Sequence, residues 1–491
     1  KGTIAGAVST VKAEKMENVP AAGFDQSLQG QTPGLSVISN SGEPSKAAVF
    51  QIRGTNSINS GTAPLFILDG VPISSADFNT ISPGDIESIS VLKDASSTSI
   101  YGARAANGVV VITSKRGLAM DKAKVTLRGQ WGFSQLASND NWMMMNTPER
   151  IQFEKEIGQD TGKDYNLLSR TNINWLDEVF NDRAPLQSYE LSVNRATDRL
   201  NYYVSGGFYD QDGIAQSSTF RRYNMRANVD LDVTKTTVLR LNVGGFLQTH
   251  RKQAFSTDNA FDRAFMTSPF VHPARYSDGT IPIMNINGVN PWAAVTQSGY
   301  DVVTASQIQS LFAVEQNLKM ITPGLKAKVS FSFDRWNQSS ITRGKNATYY
   351  TIATGRDIEG NLIHSVLKYG DDSLGHGNKG EYGNSRVYFE GTLTYARTFG
   401  KHDVDALFLY NQQSFDNGSV QPYRKQGIAG RLSYTFDSRY VTEFNFGYNG
   451  SENFAKGKRF GFFPSLAVGW LISEEPFMDK FRNTLSKLKL R

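Results

Sequence analysis

The stretch YNMRANVDLDV, residues 223–233, alternates without a break. Met225, Ala227, Val229, Leu231 and Val233 fall on one side, and Asn224, Arg226, Asn228, Asp230 and Asp232 on the other. Successive side chains of a strand point to opposite faces, so this pattern predicts a strand with one face in an apolar medium and one in a polar medium. VYFEGTLTYAR (387–397) repeats it, with Val387, Phe389, Leu393 and Tyr395 opposite Tyr388, Glu390, Thr392 and Thr394. YVTEFNFGY (440–448) sets Phe444, Phe446 and Tyr448 against Glu443 and Asn445.

A sandwich of two sheets also alternates, but its strands usually run to five or six residues. These run to about ten, the length a tilted strand needs to cross a bilayer. The connections between them alternate as well. Short links at 195–199, 233–237, 321–325, 399–402 and 437–439 take turns with longer ones at 135–186, 210–220, 250–307, 337–384, 413–426 and 450–461. Short turns on one side and long loops on the other are expected of an outer-membrane barrel. About twelve strands can be counted, with a thirteenth starting at the C-terminal end. Hydrocarbon cannot hydrogen-bond to an open sheet edge, so the sheet must be completed by further strands.

Composition narrows the alternatives. The chain has 491 residues, 44 of them glycine, with 11% aromatic and 39% hydrophobic residues. Mean hydropathy is −0.38, and no apolar run is long enough for a membrane helix, a measure blind to alternating strands. The net charge of +6 is scattered along the chain, whereas a nucleic-acid surface gathers its Lys and Arg into a stripe. With no cysteine, disulfides, thiolate metal sites and Cys nucleophiles are excluded. Four Gly-Lys pairs (162–163, 344–345, 400–401 and 457–458) are each followed by a residue other than Ser or Thr, so there is no phosphate-binding P-loop. The five histidines are widely spaced and predict no metal site; no cofactor and no catalytic residues are expected.

Residues 1–118 differ in texture. They hold short strands such as GLSVIS, AVFQIRG, PLFILDGVPI and GVVVITSKRG, with short helical segments between them, and predict a small α+β domain. Residues 119–491 form the strand-and-loop region.

Four segments of this first domain carry a resemblance: SLQGQTPGLSV (27–37), IRGTNS (52–57), PLFILDGVPI (64–73) and IESISVLKDASSTSIYGARAANGVVVITSKRG (86–117). They resemble the plug of the SusC/RagA family of TonB-dependent transporters. LNYYVSGGFYDQDGI (200–214) and FGFFPSLAVGWLISEEPF (460–477) look like barrel segments of the same family. The resemblance implies an all-β membrane protein, a large antiparallel transmembrane β-barrel of about 22 strands, of which the first 12–13 are in this chain. An α+β plug fills its lumen. It implies active import of a bulky nutrient, an oligosaccharide first and an oligopeptide next, across the outer membrane of a Gram-negative bacterium. The partners implied are a SusD-like surface lipoprotein as lid and TonB with its ExbB/ExbD energising complex. TonB would act through an N-terminal box expected upstream of Lys1. A dimer of transporter–lipoprotein pairs fits the same family. A passive porin or adhesin would need no plug domain, and a barrel-embedded hydrolase would need a nucleophile–base pair.

Candidate sites follow from both readings. Arg53 and Lys93 lie in plug motifs where related transporters carry basic groups that pair with wall carboxylates. Glu390 and Glu443, placed on the inner face by alternation, are the expected partners in a latch. Substrate contacts are expected from the polar plug residues Asn56, Ser57 and Asn59, and from Trp142, Trp175, Tyr276 and Trp292 on the long loops. Aromatic faces and amides suit sugars and peptides alike, so the ligand itself is not legible. Local plug contacts for the cations and loop packing for the aromatics are the competing roles.

Overall fold

A computed structural model describes residues 8–12, 28–38, 43, 48–52, 54, 62–94, 98–136, 144–255, 257–481, 485 and 488–490. Its N-terminal unit is built on a five-stranded sheet in the order Val8–Lys12, Ile86–Leu92, Val109–Ser114, Leu65–Leu68, Val71–Ile73. Leu65–Leu68 runs parallel to Val109–Ser114. A second ribbon pairs Leu35–Ile38 with Val49–Ile52. The β-branched runs IESISVL and VVVITS supply a dry centre: Ile86, Ile89, Val91, Val110 and Ile112 have no exposed surface. Phe66 is flanked by Phe78, stacked at 4.8 Å, and Phe50, edge-on at 5.2 Å. Asp69 (φ 50°) and Gly70 (φ 95°) form the tight turn between two strands. An Asp-Gly pair suits that left-handed backbone.

Among the described residues after 118, thirteen strands form one antiparallel sheet, each paired with its neighbour along the chain apart from short strands within two of the long loops. Twelve are full strands: Lys124–Ser134, Ala184–Ala196, Leu200–Asp212, Thr219–Asp232, Thr237–Gln253, Gly299–Asn317, Leu325–Gly344, Asn378–Phe399, His402–Asp416, Tyr423–Phe436, Tyr440–Ser451 and Phe460–Leu471. Lys489–Leu490 begins the thirteenth. No helix among the described residues is long and apolar enough to cross a membrane; the strands are the elements suited to that.

The links alternate as expected, but three strands outrun the sequence reading. Gly299–Asn317, Leu325–Gly344 and Asn378–Phe399 have 19, 20 and 22 residues, and take in segments expected to be loop. The reason is visible in NQSSITRG (337–344). Beyond the span of about ten residues that lipid requires, both faces meet water. Alternation then fades while the hydrogen-bond ladder continues.

Burial follows the alternation. Met225 is 63% and Leu231 41% exposed, while Arg226 is 6% and Asn228 0% exposed. Val387 and Phe389 are likewise outside and Tyr388 and Glu390 inside; Phe444 and Tyr448 are outside and Glu443 and Asn445 inside. Trp131 lies exposed near the long-loop end of its strand, bonded to the Tyr189 hydroxyl. Trp470, near the short-turn end, stacks on Tyr440. Aromatics at both rims are what a membrane girdle requires.

The N-terminal unit lies against the inner face. It bonds to wall strands from Ala184–Ala196, through Glu190, to His402–Asp416, through Gln413, and Gly102 abuts Asn449 on Tyr440–Ser451. Laid flat, those ten strands span roughly 43 Å at about 4.8 Å per interval. A unit of about 100 residues, with a radius of gyration of about 13 Å, is only about 34 Å across. A flat sheet could not touch it at both ends, so the sheet curves round it.

Candidate functional site

Three turns and caps of the N-terminal unit present carboxylates to the wall. Asp69, in the Asp-Gly turn, accepts from Ser114 on its own side and from Asn242 Nδ2 at 3.1 Å on the wall. Asp77 closes a capping box with Ser74 at the start of the helix Ser75–Asn79. Its Oδ1 accepts from Gln307 Nε2 at 2.7 Å, and Arg386 Nη1 reaches Oδ2, the oxygen that closes the box, at 3.2 Å. Asp85, in the 3-10 turn Pro83–Asp85, accepts from the hydroxyls of Tyr203 and Ser205, and Arg226 Nε stands 3.6 Å away. Backbone groups join in. Asn228 donates to the Lys115 carbonyl, Asn224 to that of Thr80, and the Gly117 amide donates to Asn201 Oδ1.

One plug-side cation follows the opposite polarity. Arg116 pairs with Asp230 at 2.8 Å, and the charges then run along the wall from Asp230 to Arg240 (3.9 Å), Glu315 (2.9 Å) and Lys326 (3.3 Å).

The sequence-derived latch residues lie elsewhere. Lys93 donates to Ser9 Oγ at 2.8 Å and to the Pro33 carbonyl, both within its own unit. Glu390 accepts the Tyr388 hydroxyl at 2.7 Å, with Arg104 and Lys328 as the nearby cations. Glu443 accepts from Asn445. The expected pairing of Lys93 with Glu390 or Glu443 therefore gives way to local partners. The main latch carries its acids on the inner unit and its arginines on the wall. Arg53 lies outside the described residues.

The loop candidates divide in the same way. Asn56, Ser57, Asn59 and Trp142 lie outside the described residues. Trp175 is fully buried; its Nε1 donates to the Ser268 carbonyl and its ring meets His272 edge-on. With Leu176, Val179, Phe180, Ala260, Ala264 and Val295 it forms a small core between the loops, and Trp292 packs against it. Burial takes Trp175 away from any ligand-facing surface. Burial also holds His272 below the ordinary histidine range. Tyr276 stacks on His364 at 5.9 Å, and His364 Nε2 lies 3.1 Å from Asp278. Hydrogen bonds from Thr280, then from His364, hold Asp278 at about 2. This clasp ties the loop 254–298 to the loop 345–377 through a small sheet of Ile281–Pro282, Tyr349–Tyr350 and Val366–Lys368. Among the described residues no cluster of His, Asp or Glu has metal-binding geometry.

Residues 1–109 match the family model TonB-dependent Receptor Plug Domain. TonB-dependent receptor P3 of Formosa agariphila is 28% identical over all of this chain and 49% of its own length. TonB-dependent receptor SusC of Bacteroides thetaiotaomicron is also 28% identical, over all of this chain and 51% of its own. The chain is similar to the SusC-type TonB-dependent receptors, and its first 109 residues match their plug family. It spans about half the length of the curated relatives it matches. The RagAB peptide transporter shares its fold, with a TM-score of 0.80 at 22% identity over 98% of this chain and 59% of that one. The siderophore receptor PirA from Acinetobacter baumannii is more distant, with a TM-score of 0.55 at 13% identity over 95% of this chain and 59% of that one.

The plug's contacts with the barrel wall are thus mostly polar, made by carboxylates, guanidinium groups, amides, hydroxyls and backbone groups, with one small apolar contact where Val71 meets Leu311 and Tyr388. Sequence could have supplied one half of the latch, because alternation already turned Arg226 inward and places Arg386 inward, one residue before Val387. It could not supply the other half. Asp69, Asp77 and Asp85 stand at a turn, at N3 of a capping box and in a 3-10 turn, positions where an acid is explained locally.

Proposed function

We propose that this chain is the gated half-barrel of an importer in the outer membrane of a Gram-negative bacterium. Residues 1–118 are the movable plug, and residues 119–491 are the first part of the wall with its extracellular loops. The cargo is a bulky oligomer, an oligosaccharide first and an oligopeptide second. A SusD-like lipoprotein covers the long-loop side, and TonB draws on the plug from the short-turn side. The observation that supports the reading is the predominantly polar seam between plug and wall, in which the apolar contact is confined to Val71 against Leu311 and Tyr388. Such a seam exchanges its hydrogen bonds for water when the plug shifts, with little net loss, whereas an apolar seam would expose its core. A large barrel has an aqueous lumen that leaks unless filled, so a plug held this way both seals and releases.

The test is growth of a strain lacking the gene on a panel of glycans and peptides as sole nutrient, beside a strain lacking TonB. The reading expects both strains to fail on the same large oligomer and to grow on its monomers. Normal growth of the TonB-deficient strain on a substrate lost with the gene overturns active import.

A further inference from the structure

Arg104 stands on the plug segment Ser99–Ala105, which is kinked at Gly102 (φ 62°, ψ −150°). Its Nη1 donates to Gln413 Oε1 at 3.0 Å. In the ladder Gln413 lies opposite Tyr388 on one side and Lys425 on the other, and Lys425 lies opposite Ser451. Directly opposed residues share a face, with Cβ atoms about 4.5–5.5 Å apart. Tyr388, Gln413, Lys425 and Ser451 therefore form one luminal row across four strands, and Arg104 reaches it from the plug. On three of the four strands, at Gln413, Lys425 and Ser451, the row lies near the long-loop end.

The next luminal row, nearer the short turns, is Glu390, Asn411, Gly427 and Asn449. The Asn449 amide is clamped between two glycines. A Cβ on Gly102 would fall 1.9 Å from its Nδ2, and one on Gly427 2.0 Å from its Oδ1. That Nδ2 is buried without an acceptor.

The two rows are rich in donors and poor in acceptors. A guanidinium has five N–H donors and an ammonium three. Among the described residues, Arg104 hydrogen-bonds to Gln413, and no carboxylate stands within ion-pair reach of half-buried Lys425. Glu390 is the nearby acid; it already holds the Tyr388 hydroxyl and is shared between Arg104 and Lys328. Two neighbouring cations and an orphan amide in the adjacent row call for an anion, since an acceptor of opposite charge removes both their repulsion and the unmet donor.

We propose that Arg104 on the plug, with Lys425 and Asn449 on the wall, binds an anionic group of the imported oligomer, a carboxylate or a sulfate. This rests on the import reading and adds a substrate class to it. Because plug and wall both supply donors, the bound acid spans the seam that must open.

The test uses the full-length transporter and two matched pairs of probes: tetragalacturonate against maltotetraose, and tetra-alanine against its C-terminal amide. Calorimetry should find one acidic member bound about tenfold tighter than its neutral counterpart, the ratio expected when a charge-assisted hydrogen bond is added. The pair that shows the gap identifies the source of the acid. K425Q should shrink it to less than about threefold, and inorganic sulfate should compete with the acidic probe. R104Q also removes the bond to Gln413, so K425Q is the deciding variant. Equal affinities within both pairs overturn the proposal, as does a gap that K425Q leaves intact or an absence of acid binding. If the gap behaves as expected but the acid enters cells equally well without TonB, the import reading fails and the anion site stands.

Discussion

The plug and the wall use the same residue types in opposite places. In the plug, Phe50, Phe66 and Phe78 meet at the centre, and Asp69, Asp77 and Asp85 face outward. In the wall, Met225, Phe331 and Phe389 face outward, and Arg226, Asn242 and Arg386 face inward. One is a globule made for water, the other a sheet made for lipid, and the two polar surfaces meet. The comparison shows that the apolar groups stabilise each part separately. The polar groups set how the parts fit together.

The first way to break the comparison is at the plug's own centre. Phe66→Ala opens a cavity between Phe50 and Phe78, with an expected cost of about 3–5 kcal/mol. The plug should become sensitive to protease while the barrel keeps its heat resistance in detergent gels. Equal protease resistance of variant and parent would show that the wall, and not the apolar cluster, holds the plug folded.

Arg386→Met acts on the seam instead. It leaves Asp77 and Asp334 facing each other in a buried place, and loss of one partner of a buried pair costs about 3 kcal/mol or more. Gln307 remains on Asp77, which places the expectation at the low end. Passive entry of large antibiotics should rise while plug folding, read by protease resistance, stays at the parent level. Unchanged permeability would remove Arg386 from the latch.

Phe331→Lys probes the lipid face. A lysine near mid-membrane costs about 2 kcal/mol or slightly more, so the folded fraction in urea titrations into lipid vesicles should fall. A folded fraction equal to the parent's would remove Phe331 from the lipid face.

The smallest effect is a pH dependence of the loop core. Burial lowers the His272 pKa below the ordinary 6.5, so the opened loops bind this proton more readily than the packed ones. The stability this residue supports is complete above about pH 6.5 and declines as pH falls below it. Protection factors of the amides at 268–274, taken relative to the intrinsic exchange rate at each pH, should fall between pH 7 and pH 5 and stay level in His272→Phe. An equal response in that variant would assign the change to other groups.

The wall was legible in the sequence because lipid imposes one simple condition on alternate residues. YNMRANVDLDV reports its two faces directly, and loop lengths report its two rims. The seam was not legible. Alternation says that Arg386 points inward, but not that it meets an aspartate some 300 residues earlier. Lys93 carries the expected charge yet spends it on Ser9 and Pro33 within the plug. The loop aromatics misled for a related reason. Composition shows that Trp175 and Trp292 lie in long loops, but whether those loops are long enough to build a core depends on their meeting in space.

That loop core bears on the register of the wall. Trp175, Ala215, Ala260 and Val295 come from segments separated by four strands, Ala184–Ala196 to Thr237–Gln253. Their native packing therefore depends on those strands being paired in register, and the contact of the Trp175 indole with His272 reports on the registration of this whole portion of the wall.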